Sequence, residues 1–206
     1  LFRNLSRTGI YADVAANHWK SLTNSYFFDR CLHWDGVCVE PNPIYQAGLL
    51  AQRTCSIVPH CVSNSTAAVD FHMGKSMSQG VYGGIGGRSG GSPLSAKLFE
   101  TQRMKCVSLA TVFAKAGITH IDFLSLDVEM HEAAALSSID FSRVQIDYIF
   151  CETALWGDTE EQCTQMLPQL GYHRINFTES IGEVYWRRNA VAVAVAAEAA
   201  AAAAAV

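Results

Sequence analysis

The hexapeptide Asp127-Val-Glu-Met-His-Glu132 follows directly on the apolar run Ile121-Asp-Phe-Leu-Ser-Leu126, and this junction constrains the fold more than any other stretch of the chain. A short apolar run, β-branched and aromatic, that ends in acids and a histidine and leads into Ala133-Ala-Ala-Leu136 reads as a buried strand feeding a strand-to-helix turn. In open parallel sheets, ligands bind beyond the carboxyl ends of the strands. Four ionisable groups within six residues at that edge point to chemistry more than to packing.

The same grammar recurs near the start. Gly9-Ile-Tyr-Ala-Asp13 runs into Val14-Ala-Ala-Asn17, and the next apolar run, Val37-Cys-Val-Glu40, ends in an acid followed by Pro41-Asn-Pro43. An acid closing the second strand, some two dozen residues after the turn that closes the first, is placed to accept hydrogen bonds from ribose hydroxyls. Neither the G-x-G-x-x-G dinucleotide fingerprint nor the G-x-x-x-x-G-K-[ST] phosphate loop occurs.

These residues resemble a known family. Tyr11-Ala-Asp-Val-Ala-Ala-Asn17, Leu22-Thr-Asn-Ser25, Gly36-Val-Cys-Val-Glu-Pro-Asn-Pro43 and Phe123-Leu-Ser-Leu-Asp-Val-Glu-Met-His-Glu132 are similar, in order and spacing, to the FkbM family of S-adenosylmethionine-dependent methyltransferases. Each motif is weak alone; the combination is specific. The resemblance spans residues 10–186 and implies a class I methyltransferase (Rossmann-like) α/β fold. That fold is a seven-stranded, mostly parallel sheet with helices on both faces and a C-terminal antiparallel hairpin.

Periodicity supports this independently. Residues 10–14, 37–40, 56–61, 123–127 and 146–152 are expected parallel strands, and 25–33, 45–53, 109–116 and 131–137 carry helical spacing. Residues 172–177 and 183–187, flanking 178–182, read as the hairpin. The domain is expected over 1–189. Half the residues are apolar and 17% charged, with a mean hydropathy of +0.11, which suits a well-covered sheet. A net charge of -4 with fifteen scattered basic residues argues against nucleic acid and favours a small, neutral or hydroxylated acceptor.

On the family resemblance, Asp13 holds the amino end of S-adenosylmethionine, Ala15 and Ala16 keep the turn small, and Asn17 bonds the methionine carboxylate. The competing roles are a plain strand-end aspartate and a turn-capping asparagine. Thr23, Asn24 and Ser25 cap the next helix, whose first amides are expected to face the same carboxylate. Glu40, with Pro41 and Asn42 after it, is the ribose ligand, the competing role being a carboxylate that only bonds local backbone, and Cys61, Val62 and Ser63 flank the adenine, with plain packing as the competing role. Methyl transfer is a direct displacement, so the protein has to align an acceptor oxygen and remove its proton. His131 or Glu129 is the expected base, with Glu152 a further candidate; helix capping and a first-turn acid would account for His131 and Glu132 alone. Asp127 touches the methionine end of the cofactor or binds a divalent cation; the metal question stays open.

The expected activity is O-methylation of a hydroxyl on a sugar, glycan, lipid or other small acceptor. Three departures from the family pattern keep a second reading alive, a catalytically degenerate subunit with a structural or binding role in a larger assembly. Ala15 stands where glycine is common, His18-Trp19 replaces an acid-glycine pair, and Met130 replaces glycine. Met130 loses a residue tolerant of positive φ and is expected to crowd the transfer site, and Trp19 is a second residue able to fill the pocket.

Seven cysteines form no C-x-x-C pair, so structural zinc is not expected; they read as small apolar fillers, with a bridge among Cys38, Cys55 and Cys61 as the alternative. The chain begins at Leu1, which leaves targeting and compartment open. Residues 74–95, rich in glycine, read as a mobile insertion without helix or strand, either a cover for the acceptor pocket or an idle surface loop. Residues 190–206, almost wholly alanine and valine, form a low-complexity tail that is short and weakly apolar for a membrane span and is a possible partner contact.

Overall fold

Side chains along a strand point alternately to opposite faces, and the apolar runs of this chain divide accordingly into two buried layers. The computed structural model describes residues 5–65, 67–76, 83–85, 97–152, 159–175 and 182–187. The tail 190–206, the turn 178–181 and most of the glycine-rich segment, 77–82 and 86–95, lie outside the described residues.

The main sheet has seven strands. Five are parallel: β1 (Ile10–Val14), β2 (Asp35–Val39), β3 (Ser56–Val58), β7 (His120–Leu126) and β8 (Gln145–Glu152). The hairpin of β9 (His173–Ile175) and β10 (Gly182–Trp186) closes the sheet, β10 running antiparallel to both neighbours. The order β3-β2-β1-β7-β8-β10-β9 reverses direction between β1 and β7 and so creates a crevice at their carboxyl ends. This is the expected mostly parallel α/β fold. The third strand is shorter than expected because Pro59, which lacks an N–H, follows Val58.

Among the described residues, five helices cover the sheet: α1 (Tyr26–Arg30), α2 (Pro43–Gln52), α3 (Leu109–Lys115), α4 (Glu132–Ser137) and α5 (Thr159–Gln169). Ala12, Val14, Val37, Val39, Leu124 and Leu126 pack with Leu109, Phe113, Leu136 and Leu167 from α3, α4 and α5. Tyr11, Cys38 and Phe123, one residue out of phase, pack with Phe28, Tyr45 and Leu49 from α1 and α2. α2 starts where its sequence says it should, with Pro43 in the first turn and the Asn42 side chain accepting from Ile44 N at 3.2 Å.

Three features differ from the sequence reading. A second, three-stranded antiparallel sheet, β5-β4-β6, follows β3; it comprises β4 (Ala68–Gly74), β5 (Gly84–Ile85) and β6 (Phe99–Lys105). Residues 74–95 therefore contribute a strand end and a short strand, because antiparallel backbone pairing with β4 outweighs the low strand propensity of Gly84. The alternation Val69, Phe71, Met73 was the legible signal for β4.

The cysteines are the third correction. They are paired as Cys38–Cys55, Cys61–Cys106 and Cys151–Cys163, and Cys31 is free and exposed. Cys38 faces the α2 layer, where Cys55 arrives after the helix, whereas Cys61 faces the small sheet. Cys38 on β2 and Cys61, three residues beyond the end of β3, thus find different partners.

Candidate active site

Beyond the ends of β1, β2, β7 and β8 lies a cavity of about 340 Å³, lined by residues from every one of those strand ends, among them Ala15, Asn17, Glu40, Asp127 and Glu152. Backbone hydrogen bonds set its rim. Ala15 N donates to Val39 O at 2.9 Å, Glu40 N to Val58 O at 3.0 Å, and Asp127 N to Val14 O at 3.3 Å, so each turn is hooked to the strand beside it. Ala15, Asn17, Leu22 and Glu129, all lining residues, have φ of 69°, 56°, 58° and 52°, and Met130 beside Glu129 has 73°. Left-handed backbone at non-glycine residues costs energy and gathers where function over-determines the geometry; here the only other case among the described residues is His33.

Glu40 is buried, with Oε2 accepting from Asn17 N at 2.8 Å and Oε1 from Asn42 N at 2.7 Å. Each oxygen keeps lone-pair capacity for a further donor. Burial pushes its carboxyl up to about 7, against the pull of the two amides. Asn42 also caps α2 and donates from Nδ2 to Gly74 O at 3.3 Å, tying the turn to the small sheet.

On the other strands, Asp127, Glu129 and Glu152 converge, with ligand oxygens within 4.8 Å of one another. Burial raises the Asp127 carboxyl to about 8, helped by its hydrogen bond to Glu152 and by the charge of that neighbour. Gly84 presses on the same turn: a Cβ there would stand 3.2 Å from Glu129 Cβ and 3.4 Å from its carbonyl oxygen. Gly83 and Phe71 complete the wall.

An adjoining cavity of about 30 Å³ is mostly apolar, lined by Pro41, Cys61, Val62, Phe71, Val128 and His131 among others. His131 thus faces the smaller space, its Nε2 3.2 Å from Ser63 Oγ, and burial pushes its imidazole pKa down. Its side chain makes no cap bond to α4. Glu132, buried, accepts from Val128 N at 2.9 Å through Oε1 while Oε2 has no hydrogen-bond partner; burial first of all raises its carboxyl to about 7.

Of the residues singled out from the sequence, Ala15, Asn17, Glu40, Pro41, Asn42, Asp127, Glu129 and Glu152 line the larger cavity, and Cys61, Val62 and His131 the smaller. Asp13, Ser25 and Ser63 lie behind the walls. Asp13 accepts from Thr23 Oγ1 at 2.9 Å and, by a short bond, from Ser25 Oγ, which also accepts from Arg53 Nη2 at 2.7 Å. Ser25 therefore gives no cap to α1. Burial raises the Asp13 carboxyl although those hydroxyls oppose it. Further in, Arg53 Nε meets Asp29 at 2.8 Å with both side chains fully buried, and Tyr11 OH donates to the same carboxylate at 2.6 Å. Burial works against the Asp29 charge, but these bonds prevail and hold its pKa low.

The sequence reading missed this network and two lining residues, Leu22 and Phe71 as pocket wall. It also misplaced Met130 and Trp19. Met130 is 46% exposed and lines neither cavity, and Trp19 lies over Gly48 of α2. Neither crowds the pocket. The positive φ of Ala15 and Met130 does match the positions where glycine was expected.

The model of the methyltransferase FkbM domain matches residues 13–178, from the end of β1 to just past β9. The chain belongs to the FkbM methyltransferase family. No curated protein and no solved structure matches it. The family's methyl donor is S-adenosylmethionine, and the acceptor atoms on the cavity wall suit its hydroxyl and ammonium groups. Glu40 offers both oxygens to a diol, and Asn17 Oδ1 is a buried acceptor without a partner on the cavity wall.

Proposed function

We propose that this FkbM protein is an S-adenosylmethionine-dependent O-methyltransferase acting on a hydroxyl of a sugar, glycan, lipid or other small acceptor. One observation carries the reading: a single cavity brings together the buried carboxylate of Glu40 and, from the neighbouring strand ends, the three carboxylates of Asp127, Glu129 and Glu152, with oxygens within 4.8 Å of one another. The open pocket, clear of Trp19 and Met130, favours this over the degenerate-subunit reading.

When bound, S-adenosylmethionine supplies an electrophilic methyl group. Glu40 holds the ribose hydroxyls; Asn17 receives the ammonium; Pro41, Val62 and Val128 give the adenine ring an apolar slot. Asp13 acts through Thr23 and Ser25, fixing the turn that lines the methionine end. Glu129 takes the proton of the acceptor hydroxyl, and the Asp127–Glu152 pair orients that hydroxyl. His131, engaged with Ser63 beside the smaller cavity, contributes to the adenine side rather than to the base.

Titration with S-adenosylhomocysteine by calorimetry, with and without magnesium, tests the reading before any acceptor is known. Micromolar binding is expected, and a folded chain that does not bind removes it. If magnesium tightens binding and turnover, the three carboxylates hold the ion; if chelation changes nothing, they act as acid and base alone.

A further inference from the structure

The small sheet forms one wall of the cavity, and among the described residues few buried side chains hold it there. Its own buried cluster consists of Cys61, Phe71, Met73 and Cys106, so two of the four buried members are the halves of one disulfide. Most of β6 faces solvent. The 45-residue separation between Cys61 and Cys106 brackets the entire excursion through β4, β5 and β6. At the neck of that excursion the two chain segments pair: Val107 N donates to Cys61 O at 2.8 Å and Ser63 N to Val107 O at 3.1 Å. Immediately beyond, Cys61 and Val62 line the smaller cavity and Phe71 both cavities, while Gly84 presses on the Glu129 turn.

We infer that Cys61 and Cys106 are positioning residues, their disulfide stapling the small sheet against the Glu129 turn so that the cavity takes its cofactor only in the oxidised chain, and that the protein works in an oxidising compartment on an acceptor displayed there. The inference rests on the reading of the cavity as a cofactor site. Three disulfides engage six of the seven cysteines, and such pairing persists where thiols are not kept reduced. In forming the bridge the two thiols lose two protons and two electrons as the S–S bond closes; oxidised glutathione accepts them and leaves as two glutathione thiols. Exchange of this kind is reversible, so the wall responds to the thiol balance around the protein.

The test uses the full chain refolded in a glutathione redox buffer, with the Cys61→Ser/Cys106→Ser double variant beside it and Cys31→Ser as control. Disulfide-linked peptides are mapped by mass spectrometry, amide exchange is read over β4, β5 and the 127–132 turn, and S-adenosylhomocysteine is titrated. Expected are a Cys61–Cys106 peptide, at least tenfold faster exchange confined to β4, β5 and the 127–132 turn in the double variant, and at least tenfold weaker binding. The main-sheet amides should stay protected, which separates a displaced wall from an unfolded protein, and Cys31→Ser should match the parent. A missing Cys61–Cys106 peptide, or unchanged exchange and affinity in the double variant, overturns the inference. Should the parent chain fail to bind while exchange still rises in the variant, the staple stands and the cofactor reading falls.

Discussion

The main sheet and the small sheet share one cavity but are held by different forces. Among the described residues, twenty-two buried members, drawn mainly from strands and from α3, α4 and α5, form the larger cluster of the main sheet, whereas the cluster at the small sheet has four, of which Phe71 and Met73 belong to β4. Burial of apolar area stabilises the first at roughly 25 cal/mol per Å². For the second, closing a loop of 45 residues removes chain entropy equivalent to about 4 kcal/mol. One wall of the site is thus rigid by packing and the other by a covalent link, which allows local opening of the second without loss of the first.

The sharpest break of that contrast should come from the core of the rigid wall. Arg53→Ala strands the fully buried Asp29 carboxylate and should lower unfolding free energy by about 3–5 kcal/mol in urea. A loss under about 1 kcal/mol would mean that the network is not structural. Leu124→Ala, at 0% exposure, should cost about 2–5 kcal/mol. Phe71→Ala in the small sheet should leave the global urea transition nearly in place while weakening S-adenosylhomocysteine at least tenfold; a full core-like loss of stability would erase the distinction between the two regions.

Glu40→Ala removes the charged acceptor from the rigid wall, and affinity should fall about 10- to 100-fold with the fold intact. Unchanged affinity would take Glu40 out of the site. pH sharpens the picture further. Asp127, raised to about 8, and Glu40 and Glu132, raised to about 7, keep protons in the folded chain that the unfolded chain loses near the ordinary values of 3.8 and 4.5. Their stabilisation is complete below those ordinary values and is lost as pH rises through about 7 to 8. Melting temperature should therefore fall from about pH 5 to about pH 8 and level off above it, and Asp127→Asn should flatten the upper part of that decline; a slope identical to the parent would place the proton elsewhere. The smallest effect belongs to Met130→Gly, which relieves left-handed strain and should stabilise by about 1 kcal/mol without altering affinity.

Glu40 and Asp127 were legible because a polar residue ending an apolar run is a local pattern, and a parallel sheet turns that pattern into an address at its carboxyl edge. His131 was legible as a residue of the same edge, but the cavity it enters was not, although it sits four residues from Asp127. Which cavity a side chain enters after a strand ends depends on the φ of Glu129 and Met130 and on Ser63 waiting across the crevice. The small sheet was missed for a related reason: the glycine content of 74–95 weighed against strands, while the pairing of Ala68 with Lys105 and Gly74 with Phe99 is non-local.

The sequence by itself determined the order of the main-sheet strands and of α1 to α4, the parallel core and the identity of the acids at its edge, since alternation, capping and strand-end polarity act between near neighbours. Tertiary structure alone decided which cysteines meet, which acids converge, that Asp13 stands behind the wall, and that a second sheet closes the site. Those outcomes depend on burial and on contacts between residues tens of positions apart, where desolvation and loop closure, rather than local propensity, set the energy.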